Sequence, residues 1–304
     1  MDRDSFNAER TVLNSVERTT CLNPNAERTA VETNTRRNLN ILDNLIKCNR
    51  LPKIKMLFLL ICMLVLGYSS LFAQNLPGAG TPSNPYKIGS LSDWNEFAIY
   101  IPQYTLWCIE LTADIGSPSD PVTIMVGDGN LNKPFRGVFD GNGYTIYVQL
   151  EYNYPSIALF PYLQNYEKEV VIKNLNVVGS VVGTASGLGI PVLGGIIGKI
   201  EHSPRVLIEN CTSYVNVSTL DVDAYSAGMV GYIEAEPNAK FNTFITISNC
   251  ANFGNISDSY CNGGICGYFF YDPNKTFGGR NPLKTDFLEI VNCTNYASVE
   301  GNSF

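Results

Sequence analysis

The stretch Asn249-Cys-Ala-Asn-Phe-Gly-Asn-Ile256 occurs in four related versions in this chain, and this repetition decides the expected fold. Ungapped copies begin at Asn210 (Asn-Cys-Thr-Ser-Tyr-Val-Asn-Val) and Asn292 (Asn-Cys-Thr-Asn-Tyr-Ala-Ser-Val), and a more diverged copy begins at Asn174 (Asn-Leu-Asn-Val-Val-Gly-Ser-Val). Successive copies start 36, 39 and 43 residues apart. Repeats of this length are typical of solenoids, in which similar units stack along one axis.

A glycine-containing block follows each of the first three copies. These blocks are Gly194-Gly-Ile-Ile-Gly198, Ala227-Gly-Met-Val-Gly231 and Gly263-Gly-Ile-Cys-Gly267. Glycine at such positions lets neighbouring repeats approach closely. The blocks are not phosphate-binding loops, because they lack the Lys-Ser/Thr that completes a P-loop.

Within each copy the large apolar residues lie three positions apart, as at Ile208, Cys211, Tyr214 and Val217. A straight helix or a straight strand would not place such positions on one buried side. A chain that bends between short strands would do so, and Asn and Gly suit the bends. We therefore expect an all-β, right-handed parallel β-helix with three short strands per repeat, formed by the Ile-x-Asn-Cys, Asn-Val and Gly-Gly segments.

The chain divides by composition into a leader, an export signal and a mature part. Residues 51–73 are predicted to be a signal peptide, because basic residues precede the apolar run 56–67 and Ala73 precedes the expected cut. A signal anchor is the alternative. Residues 1–50 are interpreted as a mis-set translation start, or else as a disordered leader. We expect an exported protein, at the cell surface, extracellular or periplasmic, with no membrane span after cleavage.

The mature part begins with a predicted N-terminal cap region, residues 74–134. Trp94, Phe97, Ala98 and Ile101 fall on one face of a helix expected over 90–101, with Ser90 and Asp93 resembling a capping box. Residues 135–304 are predicted to be the β-helix repeats, with the last one incomplete. Either the gene product is truncated there, which we favour, or another subunit covers that edge.

Charge and cysteine content narrow the function classes. Residues 74–304 hold 11 basic and 21 acidic residues, and such an acidic surface makes nucleic acid an unsuitable partner. Cys211, Cys250 and Cys293 occupy one repeat position, where the diverged copy has Leu175, so we expect a buried apolar column rather than a disulfide framework. Cys261 and Cys266 leave a local bridge open, and zinc is not expected.

Several motifs then resemble a known family. Phe-x-Gly-x-Phe-Asp-Gly-x-Gly-Tyr-Thr-Ile over 135–146, Ala-Leu-Phe-Pro-Tyr over 158–162, and the alternating glycine and Asn-Cys blocks resemble the GLUG-motif family. Those are exported bacterial β-helix proteins, including regions attached to IgA-specific metallopeptidases and many surface or adhesin-like proteins. The resemblance covers about residues 80–304 and implies fold more than function. Pro161 and Ala227 depart from the glycines of the motif.

Candidate catalytic and metal-binding groups do not form a recognisable set. His202 is the only histidine in the chain, so a His-Glu-x-x-His zinc peptidase is excluded and the peptidase activity found in the family is not carried over. Asp221, Asp223 and Asp258 are candidates for the paired carboxylates of a polysaccharide-cleaving site, but Asp221 and Asp223 lie in a variable loop without a matching basic or aromatic cluster. The calcium-like spacing over 128–132 lacks the expected glycine and the final carboxylate. No catalytic residue, metal or cofactor is assigned.

Binding is expected in the insertions between repeats. The longest insertion offers the candidate binding residues Tyr271, Asp272, Lys275, Phe277 and Arg280. A second candidate is the tyrosine-rich segment with Tyr147, Tyr152, Tyr154 and Tyr162. The function expected is a non-enzymatic, structural or adhesin-like binding or display module, with a glycan or a host or cell-surface protein as partner. A lyase-like or glycosidase-like enzyme acting on polysaccharide is the alternative.

Overall fold

The computed structural model describes residues 76–100, 107–129, 131–184, 189–220, 223–235, 244–271 and 287–301. The chain forms two compact units, residues 1–73 and 74–304, and every described residue belongs to the second. The predicted leader (1–50) and signal peptide (51–73) therefore lie outside the described residues. Within the described ranges, no helix is both long and apolar enough to cross a membrane.

Twenty-two β-strands of the described chain assemble into four sheets, which we call sheets A to D. Sheet A contains, in spatial order, β1 (Tyr86–Ile88), β2 (Cys108–Leu111), β3 (Val138–Asp140), β7 (Glu169–Lys173), β11 (Arg205–Glu209), β15 (Phe244–Ser248) and β20 (Phe287–Val291). Sheet B contains β4 (Thr145–Tyr152), β8 (Asn176–Gly183), β12 (Thr212–Thr219), β16 (Ala251–Asn252), β17 (Ile256–Ser259), β21 (Thr294–Asn295) and β22 (Val299–Gly301).

Sheets C and D are built from shorter strands. Sheet C contains β5 (Ser156–Ile157), β9 (Val192–Gly194), β13 (Tyr225–Ala227) and β18 (Cys261–Gly263). Sheet D contains β6 (Phe160–Leu163), β10 (Ile197–Ile200), β14 (Val230–Ala235) and β19 (Cys266–Tyr271). Every ladder between these strands is parallel. The expectation of an all-β, parallel fold is confirmed.

The expected count of three strands per repeat is wrong, because the glycine block is a corner between two strands. In one repeat, β13 ends at Ala227 and β14 begins at Val230. A Cβ on Gly228 would lie 2.1 Å from Cγ of Asn252, and one on Gly195 would lie 2.6 Å from Oγ of Ser213. The glycine therefore makes room for a polar side chain of sheet B, and the chain turns there from sheet C to sheet D.

The Asn that starts each copy forms the bend between sheets A and B. Asn174, Asn210, Asn249 and Asn292 have φ angles of 53°, 52°, 53° and 52°. Asn tolerates this left-handed conformation better than most residues. The side chains also bond along the column, since Nδ2 of Asn210 donates to Oδ1 of Asn174 at 3.1 Å. The predicted role of Asn in the bends is confirmed.

The prediction that every third residue of a repeat is buried is right for the aliphatic and cysteine positions around Asn210 and wrong for the aromatic position. Ile208, Cys211 and Val217 are buried as expected, and Thr212 N donates to Leu175 O while Ala251 N donates to Cys211 O, which places the cysteines in one column. Tyr214, however, is 45% exposed. After the bend β12 is a straight strand with alternating faces, so Val215 points inward and Tyr214 points outward.

Helix α1 (Leu91–Ile99) lies between β1 and β2 in the chain and packs its apolar face against the core. Its N-cap is Ser90, whose side chain accepts a hydrogen bond from Asp93 N, and the helix ends two residues earlier than expected. Trp94 and Phe97 are fully buried and contact the ring of Phe139, whereas Ile101 of the predicted apolar face lies outside the described residues. β1 and β2 lie within the predicted cap region yet already belong to sheet A.

Candidate functional site

The insertion predicted to bind a partner falls mostly outside the described chain. Tyr271 is the last residue of β19, and its side chain is not described. Asp272, Lys275, Phe277 and Arg280 lie outside the described residues. Binding by this insertion therefore stays a prediction.

The single histidine occupies a turn after β10. His202 has a φ angle of 48°, and its ring stacks on Tyr166 with 5.7 Å between ring centroids. Of the three candidate carboxylates, Asp223 lies in a turn, Asp221 is outside the described residues, and the side chain of Asp258 is not described. A carboxylate pair formed by these residues therefore stays untested.

The described cysteines are all free thiols, so the local bridge between Cys261 and Cys266 does not form. Burial raises the pKa of Cys266 to about 12, which keeps that thiol protonated at neutral pH. Cys211 and Cys250 are buried in the core. Among the described residues, no group of three or more His, Cys, Asp or Glu side chains is arranged to hold a metal ion.

The tyrosine-rich segment does not form one site. Tyr152 and Tyr154 stack at 5.2 Å between ring centroids, and Tyr152 lines a groove beside α1. Tyr162 lies in sheet D and lines a different groove. Tyr147 lies on sheet B between buried neighbours and is half-buried. The second sequence candidate is thus divided between two surfaces.

The groove that Tyr162 lines runs across sheets C and D and has a volume of 620 Å³. We call it the tyrosine groove. Its lining comprises Gly129, Leu131, Pro155, Tyr162, Ile190, Val192, Lys199, Tyr225 and Tyr232. Tyr225 and Tyr232 both stack with Tyr268, at 4.7 and 5.6 Å between ring centroids. The rings therefore cover one another, and the groove is mainly apolar.

The cation of the tyrosine groove is already neutralised. Lys199 Nζ lies 2.7 Å from Glu201 Oε2 and 2.9 Å from Glu234 Oε2, and it also lies over the ring of Tyr232. Burial alone would lower the pKa of Lys199, but hydrogen bonds and charge attraction from Glu201 and Glu234 raise it to about 12. An ammonium group held between two carboxylates fixes neighbouring strands and attracts an anionic ligand poorly.

The groove beside α1, which Tyr152 lines, has a volume of 510 Å³. We call it the helix groove. Three segments that are distant in sequence form it: α1, the stretch 120–123, and the last part of β4. Its lining comprises Leu91, Asn95, Asp120, Pro121, Thr123, Gln149, Glu151 and Tyr152. This lining combines two carboxylates and two amides with an aromatic ring and the apolar side chains of Leu91 and Pro121, and it contains no basic side chain.

Hydrogen bonds hold the walls of the helix groove together. Tyr152 donates its hydroxyl hydrogen to Thr123 O at 2.6 Å, and Trp94 Nε1 donates to Ile124 O at 3.0 Å. Val122 N donates to Tyr147 O, and Gln149 N donates to Val122 O, so the stretch 120–123 is bonded to β4. The groove is therefore fixed before any ligand binds, which lowers the entropy lost on binding.

The polar side chains of the helix groove remain available to a ligand. Within the described chain, the side chains of Asn95, Asp120, Gln149 and Glu151 make no hydrogen bond or ion pair with the protein. Gln149 and Glu151 point outward because they alternate with the buried Val148 and Leu150 of β4. Planar amides and carboxylates of this kind can each bond two groups of a hydroxyl-rich ligand.

Sequence reasoning identified Tyr152 and missed the other polar members of the helix groove. The alternation along β4 was a usable signal for Gln149 and Glu151, because residues two apart share a face of a strand. No comparable signal links Asn95 or Asp120 to that face, since they belong to different segments that only folding brings together.

Comparisons with known proteins give little further information. No family model matches the chain, and no curated protein matches it. A search of solved structures finds a crystal structure of a putative immunoglobulin A1 protease from Bacteroides ovatus, with 18% sequence identity and a TM-score of 0.37. The match covers 73% of this chain and 79% of that one. A TM-score of this size supports no inference about fold or activity.

Proposed function

We propose that this chain is an exported binding module with the architecture of a right-handed parallel β-helix, similar to the GLUG-motif proteins. The recurrence of strands in the order A, B, C, D, with parallel pairing at every level, supports this winding. Connections between parallel strands are right-handed in nearly all proteins. The apolar run 56–67 behind basic residues supports export to the cell surface, the extracellular space or the periplasm.

We further propose that the module binds without catalysing a reaction, with a glycan as the partner. The helix groove carries this proposal, because four polar side chains without partners in the described protein stand beside a fixed tyrosine ring. Ligand sites in proteins typically combine a preformed, partly apolar cleft with a few oriented polar groups. A partner protein at a host or cell surface would instead suit the apolar tyrosine groove.

The test pairs a glycan array with a polysaccharide-degradation assay on the same purified chain. We expect saturable binding to a subset of glycans and no release of reducing ends or unsaturated products. Binding of no glycan at all would contradict the glycan-binding function. Fractionation of cells expressing the full chain, followed by detection with an antibody, checks export separately.

The second candidate function is cleavage of a polysaccharide, and one observation favours it. Asp120 and Glu151 line the same groove, and two carboxylates flanking a sugar chain are the usual equipment of a glycosidase. The pair Asp120→Asn and Glu151→Gln separates the two functions. If the wild-type chain degrades a polysaccharide and the double variant does not, while still binding it, the enzyme function holds and the non-enzymatic one fails.

A further inference from the structure

The charges of the helix groove specify which glycans it can accept, an inference that rests on the proposed glycan-binding function. Its lining contains Asp120 and Glu151 and no basic side chain. The four ion pairs between described residues involve neither of these carboxylates, so both charges face the groove without a bound cation from the protein. Both carboxylates are exposed, so a charged ligand experiences their combined field most strongly at low ionic strength.

We infer that the helix groove binds an oligosaccharide that carries no anionic groups, built from neutral or amine-bearing sugar units. A uronate or sulfate group would meet like charge from Asp120 and Glu151, whereas a hydroxyl group can donate a hydrogen bond to either carboxylate. An amine would gain attraction from the same two groups. The surface as a whole adds to this selection, because residues 74–304 hold 11 basic and 21 acidic residues.

The shape of the lining supports a sugar ring rather than a flexible polar molecule. The ring of Tyr152 is held by its hydroxyl bond to Thr123 O at 2.6 Å and by stacking on Tyr154 at 5.2 Å. Pro121 and Leu91 are further apolar residues of the lining. A sugar ring has an apolar face of C–H groups and a polar edge of hydroxyls, so it can lie on the aromatic platform while Asn95 and Gln149 contact its edge.

The tyrosine groove has no comparable means of distinguishing neutral from anionic glycans. Its cation, Lys199, is shared between Glu201 and Glu234, and its walls are aromatic and aliphatic. It therefore serves as an internal reference: substitutions there should leave the charge preference of glycan binding unchanged.

The inference is tested by calorimetric titration of the full chain with four hexasaccharides of similar length: cellohexaose, mannohexaose, the chitosan hexamer and hexagalacturonate. At low ionic strength we expect a neutral or amine-bearing hexamer to bind and hexagalacturonate to bind at least about tenfold more weakly, because each like-charge contact in a partly screened groove weakens binding by about this factor. Raising the salt concentration should reduce this difference, since ions screen exposed charges.

Matched substitutions identify the groove. The pair Asp120→Asn and Glu151→Gln should abolish most of the discrimination against hexagalacturonate, whereas Glu289→Gln, the same change on an exposed strand of sheet A, should not. Tyr152→Ala should weaken binding of the preferred hexamer more than Tyr152→Phe, which keeps the ring. Ile190→Ser in the tyrosine groove should have no effect.

The possible failures can be told apart. If neither the hexamers nor the glycans of the array bind, the proposed glycan-binding function is wrong. If glycans bind but hexagalacturonate binds as tightly as the neutral hexamers, the charge inference is wrong and the proposed function stands. If the discrimination survives the Asp120→Asn and Glu151→Gln pair, the ligand binds elsewhere and the assignment to the helix groove is overturned.

Discussion

Replacing Gly228 with alanine should destabilise the protein through packing alone. The backbone at Gly228 is outside the left-handed region, so alanine meets no conformational strain there. The new Cβ would lie 2.1, 2.3 and 2.5 Å from Cγ, Oδ1 and Nδ2 of Asn252, which is fully buried. Real Cβ atoms do not approach other atoms this closely, so Asn252 must move.

Movement of Asn252 breaks its hydrogen bonds. Nδ2 of Asn252 donates to Gly254 O and to Asn295 Oδ1, both at 2.8 Å, and Oδ1 accepts from Gly254 N at 3.2 Å. Overpacking a core costs about 1–3 kcal/mol, and leaving a buried polar group unbonded costs about 1–3 kcal/mol. We therefore expect Gly228→Ala to lower the free energy of unfolding by about 3–5 kcal/mol. For a chain of this size that corresponds to a fall of about 6–20 °C in Tm.

Thermal and denaturant unfolding followed by circular dichroism measure this loss, with Gly143→Ala as the control. A Cβ on Gly143 meets nothing within 4 Å, but its φ angle is +81°, so only backbone strain of about 1–2 kcal/mol is expected. A double-mutant cycle with Asn252→Ala adds a second check, because the double variant should lose less stability than the two single losses added together. The reasoning is refuted if the free energy of unfolding of Gly228→Ala lies within about 1 kcal/mol of the wild-type value, or if Gly143→Ala lowers it more than Gly228→Ala does.

Three further changes test other parts of the fold. Asn210→Ala should cost about 1–2 kcal/mol in denaturant unfolding because alanine is strained at a φ of 52°, and Asn210→Gly should cost less; equal losses would contradict a conformational cause. Ser90→Ala should cost about 1 kcal/mol in the same measurement by removing the N-cap of α1, whereas Ser90→Thr, which keeps a hydroxyl to accept from Asp93 N and donate to Asp93 Oδ2, should lose less. The pKa of Lys199 is raised from 10.5 to about 12 in the folded chain, so its ion pairs contribute about 2 kcal/mol to the free energy of unfolding. This contribution is fully present below pH 10.5 and is lost as the pH rises through about 12. In denaturant unfolding at alkaline pH, Lys199→Met should therefore lack this part of the decline in stability that wild type shows.

The parts of the fold that sequence reasoning predicted are those decided by local chemistry repeated at several levels. Asn at the bend is readable because few residues tolerate a positive φ, and the same residue recurs at Asn174, Asn210, Asn249 and Asn292. The cysteine column is readable because Leu175 occupies the same position as Cys211, which indicates an apolar environment rather than a bridge. In both cases the residue type restricts the possible structure: the backbone conformation at Asn, and the polarity of the surroundings at the Cys position.

The wrong predictions concern positions at which the spacing of buried residues changes although no residue type there indicates the change. The spacing Ile208, Cys211, Tyr214 continues smoothly through the bend at Asn210, yet the burial pattern changes there to strict alternation. Tyr214 is therefore outward, and its ring stacks on Phe253, which is 41% exposed, at 4.8 Å. Aromatic residues in a repeat can serve the core or an outer ladder, and only the register between strands decides between these two.

The location of the helix groove follows from the same stacking that makes the fold predictable. A residue on a parallel sheet lies beside its counterparts in neighbouring repeats, so Gln149 is paired with Ser180 and Glu151 with Val182. Neither column contains a second carboxylate at the adjacent level. Helix α1 and the stretch 120–123 line this groove together with β4, whereas the later repeats have strands in place of these two segments. A site with its own charge pattern therefore forms where the repetition is interrupted, and this is why a search of the repeats alone could not have found it.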